Sequence, residues 1–241
     1  MRNVNQVIQY KRYIKSKQSK QGNIVAYQTI PKILPNSQFR QYKLRKNERW
    51  FVLNKKIRTS KQLLEYINKI NPTDVYQSVS YWLNPTRLGS KKFNAPTYKG
   101  DKTIIKEAHS NYFLSSIFLG SDYIMDFDDK DYKNGQEDSR SNLELAKLKL
   151  QEIGFKEFLT MRTGRGYQLL VMDFNEWAKK DMKAVMPRDR EDFYLVKMRK
   201  LTRMLLASKI RWDYRVSVDT RRIFRVPNSV HNNGNIIKVL T

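Results

Sequence analysis

Apolar residues along this chain recur at two periods. Leu63, Leu64, Ile67 and Ile70 fall at helical spacing behind Ser60, whose side chain suits an N-cap, so a helix is predicted there. Asn71-Pro72 breaks it. Residues 75–82 are rich in aromatic and β-branched side chains and read as a strand, as does the shorter run 50–54. Strand character returns at 123–128. A helix over 141–153 follows, closed by Gly154, with Leu145, Leu148 and Leu150 among its apolar positions. Two strands, 158–162 and 167–172, flank a tight turn holding Gly164 and Gly166. A longer helix is predicted over 191–208 and a last strand region over 217–226. Pro85, Gly89, Pro96 and Gly100 among many lysines mark 83–103 as a long loop. Strands interleaved with helices predict an α/β (α+β) domain with a mixed sheet flanked by helices, over residues 38–241. The preceding residues 1–37 read as a basic N-terminal arm.

Charge narrows the partners. The chain has 241 residues, with 47 Lys and Arg against 23 Asp and Glu, a formal net charge of +24. That surplus implies a polyanionic partner, nucleic acid or an acidic membrane surface. No apolar run approaches the roughly 18 residues a membrane span needs, and no secretory leader is readable, so nucleic acid and an intracellular location are expected. Cysteine is absent, which removes disulfides and thiolate zinc sites. With only His109 and His231 as imidazoles, any metal would be held mainly by oxygen, which points to Mg2+ or Mn2+.

Three segments could carry chemistry. In a strand over 123–128, Asp126 and Asp128 share one face while Phe127 points to the other. Two carboxylates aimed at one place repel unless a cation lies between them, and paired divalent ions serve phosphoryl transfer. The same triplet also suits an acidic turn at a strand end. In Thr163-Gly164-Arg165-Gly166-Tyr167-Gln168, glycines allow either an anion-binding turn carrying Arg165 or an ordinary hairpin. Further on, Val218-Asp219 is expected on a strand and leads through Arg221, Arg222 and Arg225 to His231. This combines a candidate third metal ligand with anion-binding groups, or forms a cross-strand ion-pair cluster. Lys197, Lys200 and Arg203, on the second long helix, suit a template groove or a solvated face.

Taken in order, these segments resemble the small catalytic subunit of archaeal and eukaryotic DNA primases, in the prim-pol superfamily. That family has an aspartate pair on a strand, a Ser-Gly-x-Gly-x-His-like segment, and an apolar-Asp strand leading to an Arg-x-Pro-Gly-Ser-Leu-His-like stretch. The counterparts are Met125-Asp126-Phe127-Asp128, then Thr163 to Gln168, then Val218-Asp219 with Arg225-Val226-Pro227-Asn228-Ser229-Val230-His231. Arg40-Gln41-Tyr42, and the stretch from Asp74 to Trp82 followed by Asn84-Pro85, are looser likenesses. The departures are Gln168 where the family has histidine, Asn233 where a lysine often follows, and the missing zinc-binding cysteines.

The resemblance implies a prim-pol catalytic domain in which Asp126, Asp128 and Asp219 bind two divalent metals. Thr163, Arg165, Gln168, Arg225 and His231 would contact the nucleotide, and Arg221 and Arg222 the nucleic acid. It implies NTPs or dNTPs as substrates, a single-stranded DNA template and a primase large subunit as a candidate partner. Three alternatives stand beside it: a primase-polymerase of a plasmid, virus or repair system that mainly extends primers, a catalytically weak relative that coats single strands through cations and stacking aromatics, and a nuclease using the same metal geometry.

Overall fold

In the computed structural model, the described residues are 30–46, 48–87, 117–182, 185–186, 189–231 and 235–240. Most of the basic arm, most of the 83–103 loop, His109 and Asn233 therefore lie outside them.

The architecture is α+β, assembled from two units in which a helix joins two strands that a third strand separates. In the first unit β1 (Tyr42–Lys46) and β2 (Arg49–Val52) form a hairpin, α1 (Ser60–Ile70) follows, and β3 (Asp74–Ser78) pairs with the other edge of β1. In the second, β6 (Tyr123–Asp128) leads through α2 (Gln136–Ile153) to β7 (Phe158–Arg162), and β8 (Gly166–Val171) inserts between β6 and β7. The mixed sheet expected from the sequence does not form: every described pairing is antiparallel. The reason is the inserted strand. The helix crossover makes β6 and β7 run the same way, but β8 takes up the hydrogen bonds between them.

With β9 (Ile223–Arg225) and β12 (Lys238–Leu240) added, the two sheets have orders β2-β1-β3-β9 and β12-β7-β8-β6. Short β4 (Ser80–Trp82) pairs with β5 (Phe118–Ser121), and β10 (Val230–His231) with β11 (Asn235–Ile236).

Each sheet is covered by helices on one face. Leu63 and Ile67 of α1 pack with Leu44 and Val75. Met125, Phe127, Tyr167 and Leu169 pack with Leu143, Ala146 and Leu150 of α2, Phe174 of α3 (Phe174–Lys179), and Met198, Leu201 and Leu205 of α4 (Arg190–Ala207). A further cluster joins the sheets, with Val79 and Phe224 against Ile124 and Leu170.

Several boundaries differ from the sequence reading. Thr59, not Ser60, caps α1: its hydroxyl accepts from Gln62 N at 3.2 Å while the Gln62 side chain accepts from Thr59 N, a capping box. The strand expected over 75–82 divides at Val79. There Arg40, fully buried, donates Nη1 to the carbonyls of Ser78 (2.8 Å) and Val79 (2.9 Å) and pairs through Nη2 with Asp122. Both carbonyls accept from a guanidinium, and Val79 O also from Asp122 N at 3.3 Å. In α2, Leu145 and Leu148 are exposed, and Leu143, Ala146 and Leu150 face the core. The region 217–226 holds only β9 as strand, because the short helix α5 (Tyr214–Ser217) and a turn at Thr220-Arg221 precede it.

Candidate functional site

The sheet faces away from α1 and α2 turn toward one another and enclose a polar cavity of about 490 Å³. Alternation explains its contents. On β6, Asp126 and Asp128 point into the cavity while Met125 and Phe127 pack under α2, and Gln168 on β8 stands opposite Asp126. On the other sheet, Arg45, Asp74, Tyr76 and Arg225 share the inner face through the registers Arg45↔Asp74 and Tyr76↔Arg225.

The glycine turn completes the wall. Gly166 has φ +151°, and a Cβ there would meet Phe127 O at 2.0 Å. Only glycine lets β8 pass so close to β6 beside the acid pair. Gly164, at φ +87°, shapes the turn that presents Arg165. The turn is fastened by Asp129 N donating to Arg165 O at 2.7 Å and by Thr163 N donating to Gly166 O at 3.0 Å.

Electrostatically the cavity opposes a small acidic floor to several cations. The Asp126 carboxyl is held above its ordinary value, first by burial and in part by the neighbouring Asp128. Arg225, Arg222 and a hydrogen bond from Gln168 work the other way. Asp128 pairs with exposed Lys130 at 3.1 Å. His231 Nδ1 lies 2.5 Å from Asp74 Oδ1 and 3.0 Å from Arg225 Nε. One ring nitrogen cannot donate to the first and accept from the second at once. The shorter approach, to a carboxylate, assigns the proton to Nδ1 and leaves Nε2 for a ligand. Burial, followed by Arg225, holds the His231 imidazolium below its ordinary pKa, against the Asp74 hydrogen bond.

Of the residues singled out from sequence, Asp126, Asp128, Thr163, Arg165, Gln168, Arg222, Arg225 and His231 line this one cavity. Asp219 does not. It is exposed in the turn after α5, where Oδ1 accepts from Arg221 N at 2.9 Å, because the expected strand is absent there. Asp213 N instead donates to Asp126 O at 3.0 Å, which sets Asp213 beside β6, while its carboxylate accepts from Arg215 N at 3.2 Å. Arg221 lies outside the lining, near Glu191 and over Trp82. Lys197 pairs with Asp181 and covers the rings of Trp177 and Phe193, and Lys200 and Arg203 are exposed on α4.

Arg45, Trp50, Asp74 and Tyr76 were missed as site residues. Strand alternation through β1 and β3 was the available signal, but it does not tell which face meets the other sheet.

Among the described residues no group of three or more acidic or imidazole side chains is gathered closely enough to hold an ion. The acid pair does have a third oxygen beside it. Gln168 Oε1 is buried without a hydrogen-bond partner, while the same side chain hydrogen-bonds Asp126. Two carboxylates, one of them resisting ionisation by burial, and an unsatisfied amide oxygen are a hard-oxygen set that fits Mg2+ or Mn2+.

The chain matches no family model and no curated protein. No helix among the described residues is long and apolar enough to cross a membrane.

Proposed function

We propose that this chain is a prim-pol-type DNA primase, a template-directed nucleotidyltransferase acting on single-stranded DNA. The observation that carries the reading is the convergence, in one cavity, of the strand-borne pair Asp126 and Asp128 with Arg165, Arg222, Arg225 and His231. An acidic pair alone would suit many cation sites, and an arginine cluster alone would suit any anion. Their opposition suits a substrate that brings a triphosphate together with divalent cations. The +24 charge supports a nucleic-acid template.

Arg165, Arg222 and Arg225 offer guanidinium forks to phosphate oxygens. His231, held through Nδ1 by Asp74, lines the same cavity; its neutral ring leaves Nε2 an acceptor, and only the imidazolium donates there to an anion. Asp126 and Asp128, with Gln168 Oε1, would hold the divalent ions, and those ions, when bound, supply activation of the attacking hydroxyl and charge neutralisation on the departing pyrophosphate. The protein's share is positioning: backbone strands fix the carboxylates, and the glycine turn fixes Arg165.

The deciding experiment is nucleotide incorporation on a single-stranded template with Mg2+ or Mn2+, with and without primer, in wild type and Asp128→Ala. Primer-independent products that fall at least about a hundredfold in the variant are expected. Incorporation only from a supplied primer would place the chain among extending primase-polymerases. No incorporation with strand binding intact would refute the enzymatic reading.

A further inference from the structure

The inner face of the first sheet carries an aromatic pair that phosphate binding does not explain. Trp50 on β2 lies across from Arg45, and Arg45 across from Asp74. The Trp50 ring is tilted against Tyr76 at 5.2 Å between centroids, Arg45 sits over Trp50 at 5.9 Å, and Arg225 sits over Tyr76 at 6.0 Å. Trp50 lines the cavity yet is 49% exposed, whereas Trp82 is 1% and Trp212 8% exposed. Each of those two has a packing role: Trp82 stacks edge-on with Phe118, and the Trp212 indole donates to Ser217 Oγ at 2.8 Å. An indole left half open at the rim of a cationic cavity leaves an apolar, polarisable surface facing whatever occupies that cavity.

We infer that Trp50, backed by Tyr76, is the stacking surface for the nucleobase of a nucleotide whose phosphates lie among Arg165, Arg225 and His231. This deepens the function proposed above and rests on its nucleotide-binding part. A flat aromatic ligand gains from the exposed part of the indole, and Arg45 over Trp50 and Arg225 over Tyr76 hold the two rings in place through cation–π contacts. A cavity of about 490 Å³ is in the range that takes a ligand of this size. Because every base has a π-face, the subsite is tolerant of sequence but graded by ring area, purine above pyrimidine. Trp50 is thus a specificity residue: it separates a nucleotide from a bare polyphosphate, to which the arginines alone are indifferent.

Isothermal titration of ATP, CTP and inorganic tripolyphosphate, without template, tests this in wild type, Trp50→Leu and Trp50→Phe. Trp50→Leu is expected to weaken ATP about tenfold and CTP less, leave tripolyphosphate unchanged, and be largely rescued by Trp50→Phe. Equal losses for ATP and tripolyphosphate, or no change for ATP, overturn the stacking role. A loss seen only with an oligonucleotide overturns it too, since the base would then belong to a strand. Trp50-dependent ATP binding without incorporation upholds the subsite and removes only the polymerase reading. Incorporation with ATP affinity indifferent to Trp50 removes only the subsite.

Discussion

Replacing Arg40 by methionine keeps most of the stem volume and removes the charged head. Arg40 is 2% exposed and Asp122 1%, so the pair is dry. The variant strips Arg40 from the Ser78 and Val79 carbonyls, which now accept from it at 2.8 and 2.9 Å, leaving Val79 O with the Asp122 amide at 3.3 Å, and leaves Asp122 with only the Tyr81 hydroxyl as a side-chain donor in that network. Breaking one side of a buried ion pair costs roughly 3–5 kcal/mol, a figure that already includes the abandoned charge. Against the roughly 5–15 kcal/mol that holds a domain folded, Arg40→Met should fold but melt early. Urea unfolding followed by tryptophan fluorescence would show the midpoint falling with little change in slope. Adding Asp122→Asn should recover part of the loss by removing the buried charge.

Acidity supplies a second readout of the same pair. Asp122 is raised above its ordinary value, first by burial, with Arg40 opposing. Without Arg40 it rises further, so the folded variant holds a proton that the unfolded chain has released. Stability then increases as pH falls through the raised pKa toward the ordinary value near 3.8. The deficit of Arg40→Met relative to wild type should therefore be larger at pH 7.5 than at pH 5. A loss below about 1 kcal/mol, or a double variant no better than the single one, would refute the argument.

The two glycines of the Arg165 turn should respond differently. Gly166→Ala drives a methyl into Phe127 O and should cost about 3 kcal/mol and displace Asp128, whereas Gly164→Ala meets no atom within 4 Å and carries only backbone strain of about 1 kcal/mol. Thermal melts of both variants would separate clash from strain, and equal losses would deny the close strand approach. Thr59→Ala removes the capping box at the start of α1 and should cost about 1 kcal/mol in a urea melt, with nucleotide affinity unchanged.

What could be read from sequence was local. The alternation in Tyr123–Asp128 put both aspartates on one face and Phe127 on the other, as observed, and the structure shows the Phe127 face to be the core side. The buried face of α2 was not legible, because Ala146, fully buried, carries almost no hydrophobic signal beside the larger but exposed Leu145 and Leu148. The division at Val79 depends on Arg40 approaching from far along the chain, which no window around Val79 contains. Asp219 was expected on a strand because Val218 precedes it, yet the polar run Asp219-Thr220-Arg221 forms a turn fastened by the Asp219 carboxylate. Asp74, Arg45 and Trp50 joined the cavity only once the sheets were set face to face, a property of long-range packing and not of their neighbours.

The cavity's crosslinks also bear on when it comes into being during folding. Asp74 meets His231 across 157 residues, and Ser80 meets Thr220 across 140. Such contacts close large loops of the chain and form slowly relative to hairpins and helices. Each unit's strands and helix are close in sequence, but the cavity lining comes from both sheets and is complete only once they meet. Affinity for a polyphosphate should therefore appear only with the slowest refolding phase. A ligand bound there would brace the whole domain against unfolding and proteolysis, by the logarithm of its saturation.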